Sequence, residues 1–107
     1  MASPPHNGNG HRRRQLVKRV KAEETHCALC GEPVDLTLHY LDPRAGVVDE
    51  DLPRARGGSP YERSNCHLMH RECNRWKSTM TLAEARAKLA GGIAGKPRPV
   101  IEASPIW

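Results

Sequence analysis

The chain has no phenylalanine, and its 107 residues include only 2 Trp and 2 Tyr. Aromatic side chains supply much of the apolar area that a small domain buries, so a core stable by burial alone is not expected. Pro and Gly are frequent in residues 1–10 and 91–107, where no clear periodicity appears. We therefore expect a single domain, built from the middle of the chain, that needs a covalent or metal staple.

Long apolar runs are also missing. No stretch approaches the roughly 20 apolar residues that a membrane-spanning helix needs, and the charged N-terminus is not followed by the apolar segment of a secretion signal. We therefore expect no membrane partner and a cytoplasmic location. In a reducing compartment, cysteines serve as thiolate ligands more readily than as disulfides.

Two short hooks in the sequence predict a structural zinc site. Cys27 and Cys30 form a CxxC pair, and Gly31 follows it and permits the tight turn of a metal knuckle. His70 and Cys73 lie three residues apart, so on a helix they share one face and reach one ion. We expect these two cysteines, His70 and Cys73 to bind one Zn²⁺.

Two alternatives stay open for these residues. Cys66 competes with His70 for the fourth ligand position, although in a strand it points away from Asn65 and is equally suited to be a small buried apolar residue. Cys27 and Cys30 are alternatively a redox pair, but the strand and helix pattern of a thioredoxin-like protein does not surround them.

The charge of the chain is unevenly distributed. The net charge is +5, with six cations and no acid in residues 12–21, a second basic cluster in residues 71–77, and an acidic set in residues 49–51. Basic flanks around an acidic centre are typical of proteins that hold phosphate and place a divalent cation against it. For the first cluster, a solvated basic arm is the alternative. The predicted DNA-binding residues are Arg12, Arg13, Arg14, Lys18, Arg19, Lys21, Arg75 and Lys77.

Periodicity and turn residues predict the order of secondary structure. Leu16, Val17 and Val20 recur at helical spacing, and Thr81 with Glu84 matches a capping box. The predicted elements are a helix over about 11–24, strands over 47–52 and 65–69, a helix over 70–77, and a helix that begins with the Thr81 capping box and is stopped by Gly91 and Gly92. The predicted divisions are a basic N-terminal arm or helix in 1–25, a core in 26–79, and a C-terminal helix with a Pro/Gly-rich tail in 80–107.

Residues 27–77 resemble the HNH endonucleases, particularly small phage-encoded members with two zinc hooks. The family pattern reads Asp-His, two residues, Pro, a short basic stretch, Gly-Gly, then Asn, then a zinc hook whose last ligand is followed by His or Asn and, three residues on, Lys. The matching residues in this chain are Asp49, Glu50, Pro53, Gly57, Gly58, Asn65, Cys73, Asn74 and Lys77. The resemblance implies an α+β fold, namely a small ββα-metal core stapled by a structural zinc, with flanking helices.

The same resemblance implies a function and roles for residues. The chain would be a hydrolase that cuts phosphodiester bonds of double-stranded DNA, by nicking or double-strand cleavage. Asp49 and Asn74 would bind a catalytic Mg²⁺ or Mn²⁺, which carboxylate and amide oxygens suit. Asn65 would orient the side of the hairpin that carries the base. A phage origin would place the protein in the bacterial cytoplasm, with a packaging terminase as a further partner.

Glu50 departs from the family pattern, because it stands where the family has the histidine that acts as general base. A free Glu, with a pKa near 4.3, is a weak base that needs burial or acidic neighbours to raise its pKa. Three interpretations stay open. Glu50 is the base or aligns the water; Glu50 is an added metal ligand and another group, such as His67, is the base; or the chain is an inactive zinc-stapled DNA-binding module.

Overall fold

A computed structural model describes the backbone of residues 5–91 and the side chains of residues 10–91. The fold is a small α+β arrangement of helices around a two-stranded antiparallel sheet, as the sequence predicts. The predicted tail beyond residue 91 lies outside the described residues. The elements are α1 (Pro5–Glu23), β1 (Gly46–Glu50), β2 (Cys66–His70), α2 (Arg71–Lys77) and α3 (Leu82–Gly91), with 3-10 turns at Arg54–Arg56 and Arg63–Asn65.

The first strand is shorter than its prediction, because pairing beyond Glu50 is taken over by Asn65. Asp51 donates its backbone N–H to the carbonyl oxygen of Asn65 at 2.7 Å, and the Asn65 side chain then binds the backbone of Leu52. Pro53, which has no backbone N–H, follows immediately. The strand therefore ends at Glu50, two residues before its predicted end at residue 52.

The register of the hairpin decides which side chains share a face. Val47 is paired with Met69 and Asp49 with His67, whereas Glu50 is paired with Cys66. Side chains alternate along a strand, and paired residues project to the same side. The carboxylates of Asp49 and Glu50 therefore lie on opposite faces of the hairpin.

Each face of the hairpin has its own small core. On one face, Leu16 and Val20 of α1 pack with Cys66 and Leu68 of β2. The other face carries the larger core, in which the segment containing the CxxC pair meets the hairpin, α2 and α3. The buried members of this core are Cys27, Leu29, Met69, Cys73, Leu82, Ala85 and Leu89.

Helix α1 is anchored to the hairpin by an arginine as well as by its apolar stripe. Arg13 donates to the carbonyl oxygens of Val48 at 2.9 Å and Pro60 at 2.8 Å, and it forms an ion pair with Glu50 at 2.9 Å. This residue lies three positions before the buried Leu16, so it projects from the same side of the helix. Helix α1 is thus packed against the sheet through both apolar and charged contacts.

The outer edge of β2 is covered by the chain that follows α1. Leu68 accepts a hydrogen bond from the backbone N–H of Ala28, and its own N–H donates to the Glu24 carboxylate at 2.9 Å. An exposed strand edge would otherwise invite pairing with another chain. These contacts also fix the CxxC segment beside the hairpin.

Helix α3 begins with the capping box that the sequence predicts. Thr81 accepts a hydrogen bond from the backbone N–H of Glu84 at 3.0 Å, and the Glu84 carboxylate accepts one from the N–H of Thr81 at 2.9 Å. Arg56 forms an ion pair with the same carboxylate. Its hydrogen bond is the main reason that the pKa of Glu84 is lowered to about 2. Within residues 5–91, no helix has both the length and the apolar character required to cross a bilayer.

Candidate metal centre and hairpin site

Four side chains from distant parts of the chain converge on one point. The potential ligand atoms of Cys27, Cys30, His70 and Cys73 all lie within 4.8 Å of one another, and only Cys30 is not buried. Thiolate sulfur and imidazole nitrogen are the donors that structural zinc prefers, in a closed tetrahedral set. These residues can hold a metal ion, consistent with a structural zinc.

The CxxC segment has the local geometry of a metal knuckle. Gly31 has φ of +82°, a conformation that other residues adopt only with strain. The turn directs the backbone N–H of Cys30 to the Cys27 sulfur and that of Glu32 to the Cys30 sulfur, each at 3.5 Å. Backbone donors aimed at sulfur stabilise the thiolate form that binds metal.

His70 presents one ring nitrogen to the cysteines and anchors the other. Nδ1 lies 3.4 Å from the Cys30 sulfur and 3.7 Å from the Cys73 sulfur, while Nε2 lies 2.9 Å from the carbonyl oxygen of Pro33. A donor bond from Nε2 to that carbonyl leaves Nδ1 unprotonated for a metal, which is the usual outer-shell arrangement. His70 is the last residue of β2 and precedes α2, so the prediction that it lies on the helix is wrong by one residue.

The three cysteine thiols of the cluster have different pKa values, because they lie close enough to form hydrogen bonds with one another. Hydrogen bonds from the Cys30 and Cys73 thiols lower the pKa of Cys27. The bond to Cys27 raises the pKa of Cys30 to about 12, and bonds to Cys27 and Cys30 raise the pKa of Cys73. Three thiolates this close repel one another unless a cation lies between them, so metal binding at this point would release protons.

Cys66 lies in the other core and does not join the cluster. Its side chain is buried beside α1, with its sulfur 3.6 Å from Arg13 Nη1, and burial raises the pKa of its thiol. The alternative in which Cys66 replaces His70 as the fourth ligand therefore has no support in the geometry. Its position matches the other prediction, that of a small buried residue.

A second group of polar side chains meets between β1 and α2. With its amide oriented for hydrogen bonding, Asn74 places Nδ2 3.0 Å from Oδ2 and 3.2 Å from Oδ1 of Asp49. Lys77 Nζ lies 2.8 Å from Asp49 Oδ2 and donates to the carbonyl oxygen of Glu50 at 2.9 Å. The hairpin and α2 thus bring the two residues predicted to bind the catalytic metal into contact.

The structure does not bring the Glu50 carboxylate to this group. Glu50 is buried on the α1 face, where its oxygens lie 2.9 Å from Arg13 Nη2 and 3.7 Å from Arg54 Nε. Two guanidinium groups hold the carboxylate away from the face that Asp49 occupies. The Glu50 carboxylate, which was predicted to act in catalysis, therefore lies on the opposite face of the hairpin from Asp49.

Asn65 closes the loop between the two strands. Its side-chain oxygen accepts from the Leu52 N–H at 2.9 Å, and its nitrogen donates to the carbonyl oxygens of Leu52 at 3.1 Å and Ser59 at 3.0 Å. Gly58 lies so close to the Leu52 carbonyl that a Cβ would stand 1.6 Å from its oxygen. These contacts fit an orienting role for Asn65 within the hairpin.

His67 shares the face of Asp49 and has two acidic neighbours. Nδ1 lies 2.7 Å from Asp51 Oδ1, and Nε2 lies 3.9 Å from Glu24 Oε2. His67 is also the register partner of Asp49 across the two strands. The sequence alone pointed to His67 only as a substitute for Glu50. Its pairing with Asp51 depends on the strand register.

The predicted DNA-binding residues fall into groups with different partners. Arg13 and Lys77 are engaged in the interior contacts above. Arg12 lies over the ring of Tyr61 at 4.4 Å, and Arg19 is paired with Glu23 at 3.1 Å. The predicted residues that are exposed and have no acidic partner among residues 10–91 are Arg12, Arg14, Lys18, Lys21 and Arg75.

Lys77 is the residue of the hairpin site whose position the sequence does not predict. It was predicted to contact DNA, yet it is completely buried against Asp49. Its spacing from Asn74, three residues along a helix, is a signal that both face the same neighbour.

Comparisons of the chain with protein-family models, with curated proteins and with solved structures found no match.

The metal cluster predicts about one tightly bound zinc per chain, because the four donors fill a tetrahedral shell. Replacing His70 with Ala should lower the zinc content and the thermal midpoint together, since the metal closes the larger core. Cys66→Ala is the matched control, because it removes a buried cysteine outside the cluster. Zinc content by elemental analysis and unfolding by circular dichroism measure both effects. Full zinc content in the His70 variant would contradict the assignment.

Proposed function

We propose that this chain is a metal-dependent endonuclease of the HNH type, which hydrolyses phosphodiester bonds in double-stranded DNA. The observation that carries the proposal is the contact between Asp49 and Asn74. Two oxygen ligands at about 2.1 Å from one octahedral Mg²⁺ lie about 3 Å apart. The amide position 3.0 Å from Asp49 Oδ2 matches that separation, and a half-turn of the amide presents its oxygen there. The residue pair therefore fits a hard divalent cation.

The connection between the zinc cluster and this pair supports the proposal. Asn74 directly follows Cys73, and adjacent residues on a helix project about 100° apart. Cys73 can therefore face the zinc site while the next side chain, Asn74, faces Asp49. The order β1, β2, α2, with polar groups between hairpin and helix, also agrees with the ββα-metal unit that the resemblance implies.

The chemistry assigns separate tasks to the residues of this face. A bound Mg²⁺ or Mn²⁺ would polarise the scissile phosphate and stabilise the leaving oxygen. Asp49 and Asn74 would hold the ion. We assign proton acceptance from water to His67 rather than Glu50, because His67 lies on the face of Asp49. Asp51 would accept a hydrogen bond from Nδ1 and leave Nε2 as the acceptor, which is the usual support for a histidine base.

Helix α1 supplies a surface that suits the DNA backbone. Arg14, Lys18 and Lys21 are exposed at positions i, i+4 and i+7, so they form one stripe about 10 Å long. Cations that have no acidic partner among residues 10–91 are available to phosphate oxygens, and such contacts do not depend on base sequence. Binding to duplex DNA without strong sequence preference follows from this surface.

One observation favours a second function, a zinc-stapled DNA-binding module without catalysis. Lys77 already contacts Asp49, and Glu50, in the place of the family's base, is held in an ion pair with Arg13. A site with these internal partners does not need a divalent cation to be stable. Cleavage of plasmid DNA separates the two functions.

The nuclease proposal predicts that supercoiled plasmid is nicked or linearised with Mg²⁺ or Mn²⁺ and remains intact with a chelator. Asp49→Asn and Asn74→Ala should abolish cleavage while zinc content is retained, because they remove the proposed ligands of the catalytic ion. Asp35→Asn is the matched control, since Asp35 is an exposed aspartate whose carboxylate accepts hydrogen bonds from Thr37, away from the hairpin site. Wild-type activity in Asp49→Asn would exclude the proposed site.

The assignment of the base predicts unequal effects from two substitutions. His67→Ala should lower the cleavage rate on the order of 10² to 10⁴, the usual contribution of a general base. Glu50→Gln should change the rate far less and instead lower the thermal midpoint, because it weakens the contact with Arg13. Single-turnover kinetics and thermal unfolding of both variants measure this. A large rate loss in Glu50→Gln with normal stability would return the role to Glu50.

The exposed stripe of α1 predicts a salt-dependent affinity. Replacing Arg14, Lys18 and Lys21 together with Gln should weaken duplex binding and reduce the slope of log K against log salt by at most about 3, because each phosphate contact contributes about 0.9. Substitution preserves the buried side of α1, whereas deletion of the helix would remove Leu16 and Val20 from the core. Lys88→Gln on α3 is the control. An unchanged slope in the triple variant would show that the stripe does not contact DNA.

A further inference from the structure

Lys77 is a buried cation at the point where the proposed function needs another cation. Its side chain is completely buried, and its ammonium lies 2.8 Å from Asp49 Oδ2 and 2.9 Å from the Glu50 carbonyl oxygen. Burial of an ammonium group is costly unless it is paired and hydrogen-bonded. A surface position would serve DNA binding better, so this placement requires another explanation.

The contacts fix the direction in which the Asp49 carboxylate points. Lys77 and Asn74 project from the same side of α2, three residues apart, and both meet the carboxylate. A rotation of the Asp49 side chain would break the ion pair inside the protein, where an unpaired charge is unfavourable. The carboxylate is thereby held toward Asn74, its proposed fellow ligand.

The same ammonium opposes any cation that the carboxylate binds. An ion on Asp49 lies close to Lys77, because both contact one carboxylate group. Lys77 balances the charge of Asp49, and Asn74 adds none, so these three side chains together offer a divalent cation no net negative charge. Like charges in a partly desolvated site repel strongly, since solvent screening is weak there.

We propose that Lys77 is a positioning residue that orients Asp49 and sets a weak intrinsic affinity for the divalent cation. The negative charge of a bound phosphodiester then supplies the attraction that the three side chains lack, so cation and DNA bind cooperatively. This inference rests on the proposed function, because it concerns the same site. Reciprocity requires the cation to strengthen DNA binding by the same factor.

The test measures Mn²⁺ binding to the zinc-loaded full chain by electron paramagnetic resonance of free Mn²⁺, in the absence of DNA. Lys77→Met should bind Mn²⁺ about ten- to a hundredfold more tightly than wild type, because one charge within about 4–6 Å changes the ionisation equilibrium of a carboxyl group by roughly tenfold or more, and the charge of Lys77 acts on a bound cation in the same way. Lys77→Gln, which keeps a hydrogen-bond donor, should show the same direction. A residue that acted only as structural support would leave the affinity unchanged or weaken it on removal.

Two controls separate this inference from the proposed function. Asp49→Asn should remove the Mn²⁺ site both in wild type and in Lys77→Met. If it does so while both Lys77 variants, folded and zinc-loaded, bind no more tightly than wild type, the role of Lys77 is wrong and the metal site stands. If neither wild type nor Lys77→Met binds Mn²⁺ in a way that depends on Asp49, both proposals fail.

A measurement on wild type keeps the inference testable if the Lys77 variants do not fold. A short duplex with a phosphorothioate backbone that resists cleavage should raise the Mn²⁺ affinity of the wild-type chain about tenfold or more, because it supplies the missing negative charge. The Asp49→Asn chain with the same duplex is the control for Mn²⁺ that binds to DNA alone. An equal increase in both chains would overturn the proposal.

Discussion

The four-residue cluster of Cys27, Cys30, His70 and Cys73 is the constraint on which the rest of the structure depends. It joins the segment after α1 to the junction of β2 and α2, two parts of the chain that are about forty residues apart in sequence. The fully buried residues of the core around it include no Trp or Tyr, and Trp76 packs against them only partly buried. A chain with so little apolar material gains its core by closing this loop. The position of α2, and with it Asn74 and Lys77, follows from the closure.

The alternation of side chains along β1 places Asp49 and Glu50 on different faces. The sequence predicts that these two neighbours act in one site, Asp49 as a metal ligand and Glu50 as the base. Asp49 faces α2 and Glu50 faces α1, because residue 50 is still paired in the sheet, opposite Cys66. An acidic residue at this position is explained by the guanidinium of Arg13, which it meets at 2.9 Å. At the position where the chain departs from the pattern that it resembles, Glu50 therefore joins α1 to the hairpin. Helix α1 belongs to the fold and cannot be treated as a detachable basic arm.

Local spacing in the sequence was enough to predict most of the secondary structure and the four residues that can hold a metal ion. It was not enough to predict the contacts of the buried charged side chains. The CxxC pair and the pair His70 and Cys73 are each visible within four residues, and Thr81 with Glu84 is visible in the same way. The positions of Arg13 and Lys77 depend on contacts across 35 and 27 residues, which only the strand register and helix docking decide. Both were therefore grouped with the surface cations. The nuclease activity and its residues stay predictions.

Helices α1 and α2 lie on opposite faces of the hairpin, and this restricts how one DNA duplex could contact both of them. The outer edge of β2 is closed, because the N–H and the carbonyl of Leu68 are both bonded to the chain between Glu24 and Ala28. Under the proposed function, a duplex that contacts the exposed stripe of α1 and also reaches Asp49 has to pass the edge of β1. Arg54 lies in the 3-10 turn that follows β1, is 60% exposed and is only loosely paired with Glu50 at 3.7 Å. A cation at this point would hold the backbone between the two surfaces, because it retains most of its charge for phosphate.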